Sequence, residues 1–139
     1  MRRPLVNNKR HHDEYAGRKA LQDAGWRVEK RDAVAFNSGS ETDAHLVAKA
    51  LVAKVLRGRG YRVDTEVVKD GVGEIDVVAY GLDEPPFAVE VETNPTREVI
   101  SDKLSRYYHG EPFCECYVLD PTEMPDSLEA AREWVEAKL

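Results

Sequence analysis

Between residues 73 and 93 the chain carries two pairs of acids, Glu74 with Asp76 and Glu90 with Glu92, each pair spaced two apart. Side chains alternate along a strand, so Glu74 and Asp76 fall on one face with Ile75, Val77 and Ala79 on the other. The same arithmetic sets Glu90 and Glu92 together, opposite Val89 and Val91. If the two strands are neighbours, up to four carboxylates converge. Like charges that close are costly unless a cation neutralises them, and a hard ion such as magnesium takes oxygen ligands of this kind. Such an ion lowers the pKa of a bound water and clamps a phosphate oxygen, which are the needs of phosphodiester hydrolysis. The competing reading is an acidic outer face on an edge hairpin. It suits Glu74 better than Asp76 and Glu90, which sit inside runs of Val, Ile and Ala.

Two helices are placed to add to this cluster. Ser40 with Asp43 resembles a capping box and opens a helix expected to run to about Arg57, ended by Gly58 and Gly60. At about 100° per residue, Glu41 falls on the arc of Ala44, Ala48, Leu51 and Val55, the side that must face a sheet. It either completes a metal site or simply favours the positive end of the helix dipole. His45 and Lys49 fall at the flank of that arc and need no special role. Asn94-Pro95 predicts a second helix start, leading to Tyr108. Along it Lys103 falls between Val99 and Tyr107 on an apolar stripe bordered by Ile100 and Leu104, where it either snorkels outward or leans toward the acids.

The elements that must hold these residues follow from periodicity and punctuation. A helix is expected from Asp13 to Ala24, stopped by Gly25, followed by strand-like Trp26–Val28 and Val34–Phe36. Three β-rich segments, 61–68, 74–80 and 87–93, are joined by Asp70-Gly71 and by a loop holding Pro85-Pro86. A fourth strand is expected over 113–119, and Leu128, Ala131, Trp134 and Val135 mark a C-terminal helix. Gly25-Trp26-Arg27-Val28 and Gly60-Tyr61-Arg62-Val63 share a helix-to-strand grammar without a longer repeat. The reading divides the chain into a basic N-terminal extension, residues 1–39, holding a helix and a strand-like segment, and an α/β core over 40–139.

Composition narrows the class. With 139 residues, 42% hydrophobic and 33% charged, the chain reads as one soluble globular domain. It has no long apolar run, and its basic start MRRPLVNNKRHH has no apolar stretch behind it, so neither secretion nor a membrane span is expected. Cys114 and Cys116, on one face of an expected strand, are too few for a disulfide framework or a zinc site, which points to the reducing cytoplasm. The net charge of −6 is unevenly spread: residues 1–31 carry nine bases against four acids, and the rest eleven against twenty-two. A basic arm beside an acidic body suits either a polyanionic partner such as DNA or RNA, because Lys and Arg on phosphates release counterions, or simply a solvated, poorly ordered leader.

The order αβββαβ, with Glu41 on the first helix, Asp76 in GEID and Glu90 in VEVE, resembles the PD-(D/E)xK nuclease superfamily. That group includes restriction endonucleases and archaeal Holliday-junction resolvases, and the resemblance spans about residues 40–120. It implies a restriction-endonuclease-like α/β core with a mixed central sheet flanked by helices. It also implies magnesium or manganese on Asp76 and Glu90, with Glu74 of GEID belonging to the acidic cluster and Glu41 assisting. The family's lysine, two positions after the second carboxylate, is replaced by Glu92. Some members keep activity with Glu there, others take the lysine from the next helix, for which Lys103 is the candidate, and others keep only the fold. A competing alignment takes Glu14 as the helix carboxylate. The resemblance therefore implies a metal-dependent DNA phosphodiesterase, often acting as a homodimer. Its alternative is an inactive nuclease-like module for DNA binding or for assembly into a larger particle.

Overall fold

The computed structural model describes residues 10–28, 34, 41–81, 84–108 and 112–139, with the side chains of 10–14 and 106–108 excepted. The expected strand at 34–36, apart from Val34, lies outside the described residues, as do Arg2, Arg3, Lys9, Lys30 and Arg31 and the side chains of Glu14 and Tyr107. The elements in chain order are α1 (Arg10–Asp23), α2 (Asp43–Gly58), β1 (Arg62–Lys69), β2 (Gly73–Tyr80) and β3 (Phe87–Val91). They continue with α3 (Arg97–Tyr108), β4 (Cys116–Leu119), a short 3-10 turn (Pro121–Glu123) and α4 (Leu128–Lys138).

The four strands form one mixed sheet in the order β1-β2-β3-β4, antiparallel at the first two joins and parallel at the third. Antiparallel neighbours need only short turns, whereas the parallel β3–β4 step requires a crossover, which α3 makes. The αβββαβ expectation is met: the fold is α/β, a mixed sheet flanked by helices. No helix among the described residues is long and apolar enough to cross a membrane.

Two apolar clusters sandwich the sheet. One packs Val52, Ala53 and Leu56 of α2 and Val135 of α4 on Val63, Val77, Ala79, Phe87, Val89 and Leu119. The other packs Leu21 and Trp26 on Val67, Ile75, Val78, Tyr80, Ala88 and Phe113. Fully burying a Val, Leu or Phe side chain contributes about 1.5–3 kcal/mol. The helix read as part of an N-terminal extension therefore covers the second face of the sheet, with Leu21 and Trp26 buried. It is pinned there by Arg18, whose Nε and Nη2 reach Asp64 Oδ2 and Oδ1 at 2.7 and 2.9 Å.

Both helix-to-strand junctions use one device. Gly25 and Gly60 take φ of +95° and +96°, a region open to glycine, and the next amide turns back to the helix. Trp26 N–H donates to Leu21 O at 2.9 Å, and Tyr61 N–H to Leu56 O at 3.0 Å. Each junction thereby delivers a buried aromatic, Trp26 to one cluster and Tyr61 to the other.

Three local expectations change. The cap of α2 is Thr42, whose Oγ1 accepts from His45 N–H, so Glu41 precedes the helix instead of riding on it. Ile75 and Val77 do not share a face: Ile75 packs with the α1 cluster and Val77 with the α2 cluster, and the alternation breaks at Asp76, across from Glu66 with its left-handed φ of +55°. Cys114 lies before β4, outside the alternation, and packs with the α2 cluster while Cys116 packs with the other.

Candidate active site

Asp76 and Glu90 meet at the middle of the sheet. The register pairing Val77 with Val89 and Val78 with Ala88, continued one step, sets Asp76 beside Glu90. Asp76 N–H donates to Glu90 Oε2 at 3.4 Å, and Val91 N–H donates to Asp76 Oδ2 at 2.8 Å. The two residues are only 8% and 1% exposed, so the outer-face reading fails for both. Burial pushes the Asp76 carboxyl up, but hydrogen bonds from His45 and from the Val91 amide hold it below the usual range.

His45 joins Asp76 to the residue before the helix. Its Nδ1 lies 2.6 Å from Glu41 Oε2 and its Nε2 3.3 Å from Asp76 Oδ1. Carboxylates at both ring nitrogens favour the imidazolium, and the bond to Asp76 is the chief cause that raises the His45 pKa. The turn fixed by Thr42 makes this possible, since it folds Glu41 back over the first turn of α2 toward positions 45 and 49.

One turn further along, Lys49 is fully buried. An ammonium without partners is not tolerated in such a place, and Lys49 Nζ meets Glu41 Oε2 at 2.7 Å and Glu66 Oε1 at 2.6 Å. Glu66 lies between the register pairs Thr65–Val77 and Val67–Ile75, which puts it across from Asp76. Its φ is +55°, a left-handed conformation in mid-strand. A non-glycine residue held that way costs on the order of 1–3 kcal/mol, and such outliers gather at functional sites.

From the far side, α3 sends in Lys103. Its Nζ lies 3.6 Å from Glu90 Oε1 and 3.4 Å from Glu92 Oε2. Burial alone lowers a lysine pKa, but the two glutamates beside this one raise it above its ordinary value. Of the two readings of Lys103, the side chain leans to the acids. Glu92, with about a third of its side chain exposed, is the more open of the pair. The α3 start that aims Lys103 is set by Thr96, whose Oγ1 accepts from Val99 N–H, and by Asn94, whose amide donates to Asp120 Oδ1. Asn94 itself takes φ +46°, so it turns the chain ahead of the helix instead of capping it.

Glu74 stands at the rim. It is exposed, yet partial burial and then the charge of Asp76 raise its pKa. Four convergent carboxylates are thus not what forms: the buried pair is Asp76 and Glu90, flanked by Glu41 and Glu92. Among the described residues no three His, Cys, Asp or Glu side chains are gathered as a ready-made metal cage. Two buried carboxylates on adjoining strands do fit magnesium held the way it is commonly held, by one or two carboxylates with substrate phosphate and water completing the shell.

The sequence reading assembled Glu41, Asp76, Glu90, Glu92 and Lys103 into one neighbourhood, and the structure brings them together. It passed over His45, Lys49 and Glu66. A signal existed for Lys49: the buried face of α2 runs through Ala48, Lys49, Val52, Ala53 and Leu56, and a lysine at the centre of an apolar stripe must meet acid. Nothing local marked Glu66, because its role depends on strand register and on an unusual φ. Compared with protein-family models, with curated proteins and with solved structures, the chain matches none.

Proposed function

We propose that the protein is a metal-dependent phosphodiesterase acting on DNA, built on the PD-(D/E)xK plan that its segments resemble. The observation that carries this reading is the meeting of Asp76 and Glu90 in a nearly dry position, with Lys103 arriving from the next helix at 3.6 Å from Glu90 and 3.4 Å from Glu92. A buried pair of acids with a cation in reach is costly to maintain for stability alone, since apolar residues would pack there as well or better.

Each residue has a task under this reading. Asp76 and Glu90 would hold magnesium or manganese, which when bound supplies Lewis acidity to a phosphate oxygen and lowers the pKa of a water. Glu92, the most open carboxylate of the set, orients the attacking water and accepts its proton. Lys103 is kept cationic by Glu90 and Glu92 and faces the place where negative charge builds up on the phosphate. His45 holds Asp76 ionised and fixed in orientation, and Glu41 holds His45. Under this reading Lys103 on α3 stands in for the lysine that Glu92 replaces.

The test is cleavage of supercoiled plasmid and of branched DNA with magnesium or manganese present. Asp76→Ala and Glu90→Ala are expected to abolish cleavage while keeping the far-ultraviolet circular dichroism of the wild type. Absence of cleavage by the wild type on every DNA form, or full activity in both variants, would overturn the reading. A second reading, an inactive nuclease-like module for DNA binding or assembly, is favoured by one feature. His45, Lys49 and Lys103 already stand against the acids, so less negative charge is left for a divalent ion. Titration calorimetry separates the two, because a relic of this kind takes up magnesium and manganese weakly or not at all.

A further inference from the structure

Along a regular strand the faces alternate, so residues 64 and 66 would share one face, as would residues 76 and 78. The chain does otherwise. On β1, Asp64 meets Arg18 of α1, whereas Glu66 meets Lys49 of α2. On β2, Val78 packs in the α1 cluster, whereas Asp76 lies 3.3 Å from His45 of α2. Val63 and Val67 divide in the same way, the first in the α2 cluster and the second in the α1 cluster. Both strands therefore change face at one rung, where Glu66 stands across from Asp76. The register is the same on either side, Thr65 with Val77 and Val67 with Ile75, so no residue is inserted there.

That rung holds the φ of +55° at Glu66. Glycine takes such a φ freely, whereas other residues keep it only where their surroundings over-determine it. At Glu66 the surroundings supply Lys49, whose Nζ lies 2.6 Å from Oε1 and also reaches Glu41 Oε2 at 2.7 Å. Lys49 is fully buried, so its pull on Glu66 is little weakened by solvent and salt. The consequence falls on Asp76. With the alternation continued, its carboxylate would lie with Val78 and Tyr80 beneath α1. With the change of face, Oδ1 meets His45 Nε2 and Oδ2 accepts from Val91 N–H at 2.8 Å.

We infer that Glu66 and Lys49 are positioning residues: the lysine holds Glu66 left-handed, and that rung aims the Asp76 carboxylate between α2 and β3. The inference rests on the proposed function for the ion that Asp76 would hold, and on geometry alone for what aims it.

The experiment compares Glu66→Val, Glu66→Gly and Lys49→Met in the full chain, with folding checked by far-ultraviolet circular dichroism. Valine resists the left-handed region and suits a regular strand, whereas glycine accepts that region without needing a carboxylate. Amide hydrogen exchange is read in EDTA at Val91. Ala88 and Glu92 serve as references, because their amides donate elsewhere, to Glu115 O and Leu119 O. A general loss of stability moves all three alike. In Glu66→Val and Lys49→Met, Val91 is expected to exchange about 10–100-fold faster relative to the references, the scale of losing a hydrogen bond to a charged group. In Glu66→Gly the wild-type ratio is expected to hold. Calorimetric affinity for manganese should fall about 10–100-fold in the first two and hold in Glu66→Gly.

Val91 moving with its references in Glu66→Val or Lys49→Met, or loosening equally in Glu66→Val and Glu66→Gly, overturns the positioning role. Lys49 and Glu66 would then be a stabilising pair and no more. Should Lys49→Met fail to fold, the valine and glycine variants decide alone, since both lose the same carboxylate. A wild type that neither binds manganese nor cuts DNA, with Val91 behaving as expected, sinks the nuclease reading and spares the aiming of Asp76. Wild-type cleavage, with manganese affinity unchanged in Glu66→Val, does the reverse.

Discussion

Lys49 Nζ lies 2.6 Å from Oε1 of Glu66, so a fully buried lysine on α2 is tied to the strand residue whose backbone is left-handed. The pair joins helix to sheet beside Asp76, and the same lysine holds Glu41 at 2.7 Å. Breaking a buried pair by removing one partner costs about 3–5 kcal/mol, since the other charge stays behind. Lys49→Ala and Glu66→Gln are each expected to lower the unfolding free energy from urea denaturation by that much, seen as a lower midpoint at unchanged m-value. A double-mutant cycle should return a coupling of about 0.5–3 kcal/mol. Additive effects would show that the two do not depend on each other.

Lys103 and Glu92 separate by kinetics. Under the nuclease reading Lys103→Met lowers kcat by about 10²–10³, the scale for losing a group that stabilises developing charge. Glu92→Gln lowers kcat by about 10²–10⁴ as a lost general base, and removes the acidic limb of the pH profile. Calorimetric affinity for manganese should hold in both. A variant that loses manganese affinity with its rate has lost a ligand.

Arg18 and Asp64 anchor α1. The guanidinium is bidentate on Asp64, Tyr80 O–H donates to Asp64 Oδ2 at 2.7 Å, and Asp64 is fully buried. Arg18→Ala removes the cation bidentate on that buried carboxylate and is expected to cost about 3–5 kcal/mol. Arg18→Lys is expected to recover little, because one ammonium cannot reproduce the fork. Chemical denaturation gives the totals. Hydrogen exchange should show α1 amides losing protection first, and uniform loss across the sheet would argue against a local anchor.

Alkaline pH should weaken the fold through a half-buried thiol and a buried phenol. Burial, aided by Glu90, pushes the Cys116 thiol up to about 12, and burial with the charge of Asp64 raises the Tyr80 phenol well above its ordinary value. Both are neutral when protonated, and folding favours that form. Their contribution is complete below the unfolded pKa values of about 8.5 and 10 and is lost as pH rises toward the folded ones. Guanidinium midpoints are expected to fall from about pH 9 upward. Cys116→Ala should reduce that slope between pH 9 and 10, and Tyr80→Phe above 10. A level profile to pH 11 in the wild type would contradict the desolvation of these groups.

Gly17 faces the ring of Tyr80 so closely that an added Cβ would lie 2.6 Å from Cδ1. Gly17→Ala improves helix propensity by about 1 kcal/mol, yet crowding a packed core costs about 1–3 kcal/mol. The balance predicts net destabilisation by thermal melting. A raised midpoint would mean that α1 slides on the sheet to make room.

Local grammar in the chain was enough for the α/β class and the element order. Alternating Val and Ile in 61–80, the Asp70-Gly71 turn, the Gly25 and Gly60 stops and the apolar spacing of 128–135 act between near neighbours, where propensity and turn chemistry operate. The two acid pairs were equally plain, and their spacing set them on strands that proved adjacent. Boundaries moved by a few residues where a competing cap won, as Thr42 did over Ser40.

Which acids are buried was decided by tertiary contacts. Glu74 and Asp76 look alike in sequence, yet one is exposed and the other buried, on a strand whose alternation breaks at Asp76. His45 and Lys49 read as a helix flank until the sheet covered them, because a wheel gives angles around a helix and not what lies opposite each angle. Glu66 belongs to the site through strand register and a left-handed φ, both consequences of how β1 lies on β2. The chain alone specified the charges and their spacing. Only packing specified which of them lose water, and desolvation is what makes a carboxylate and a lysine into a site.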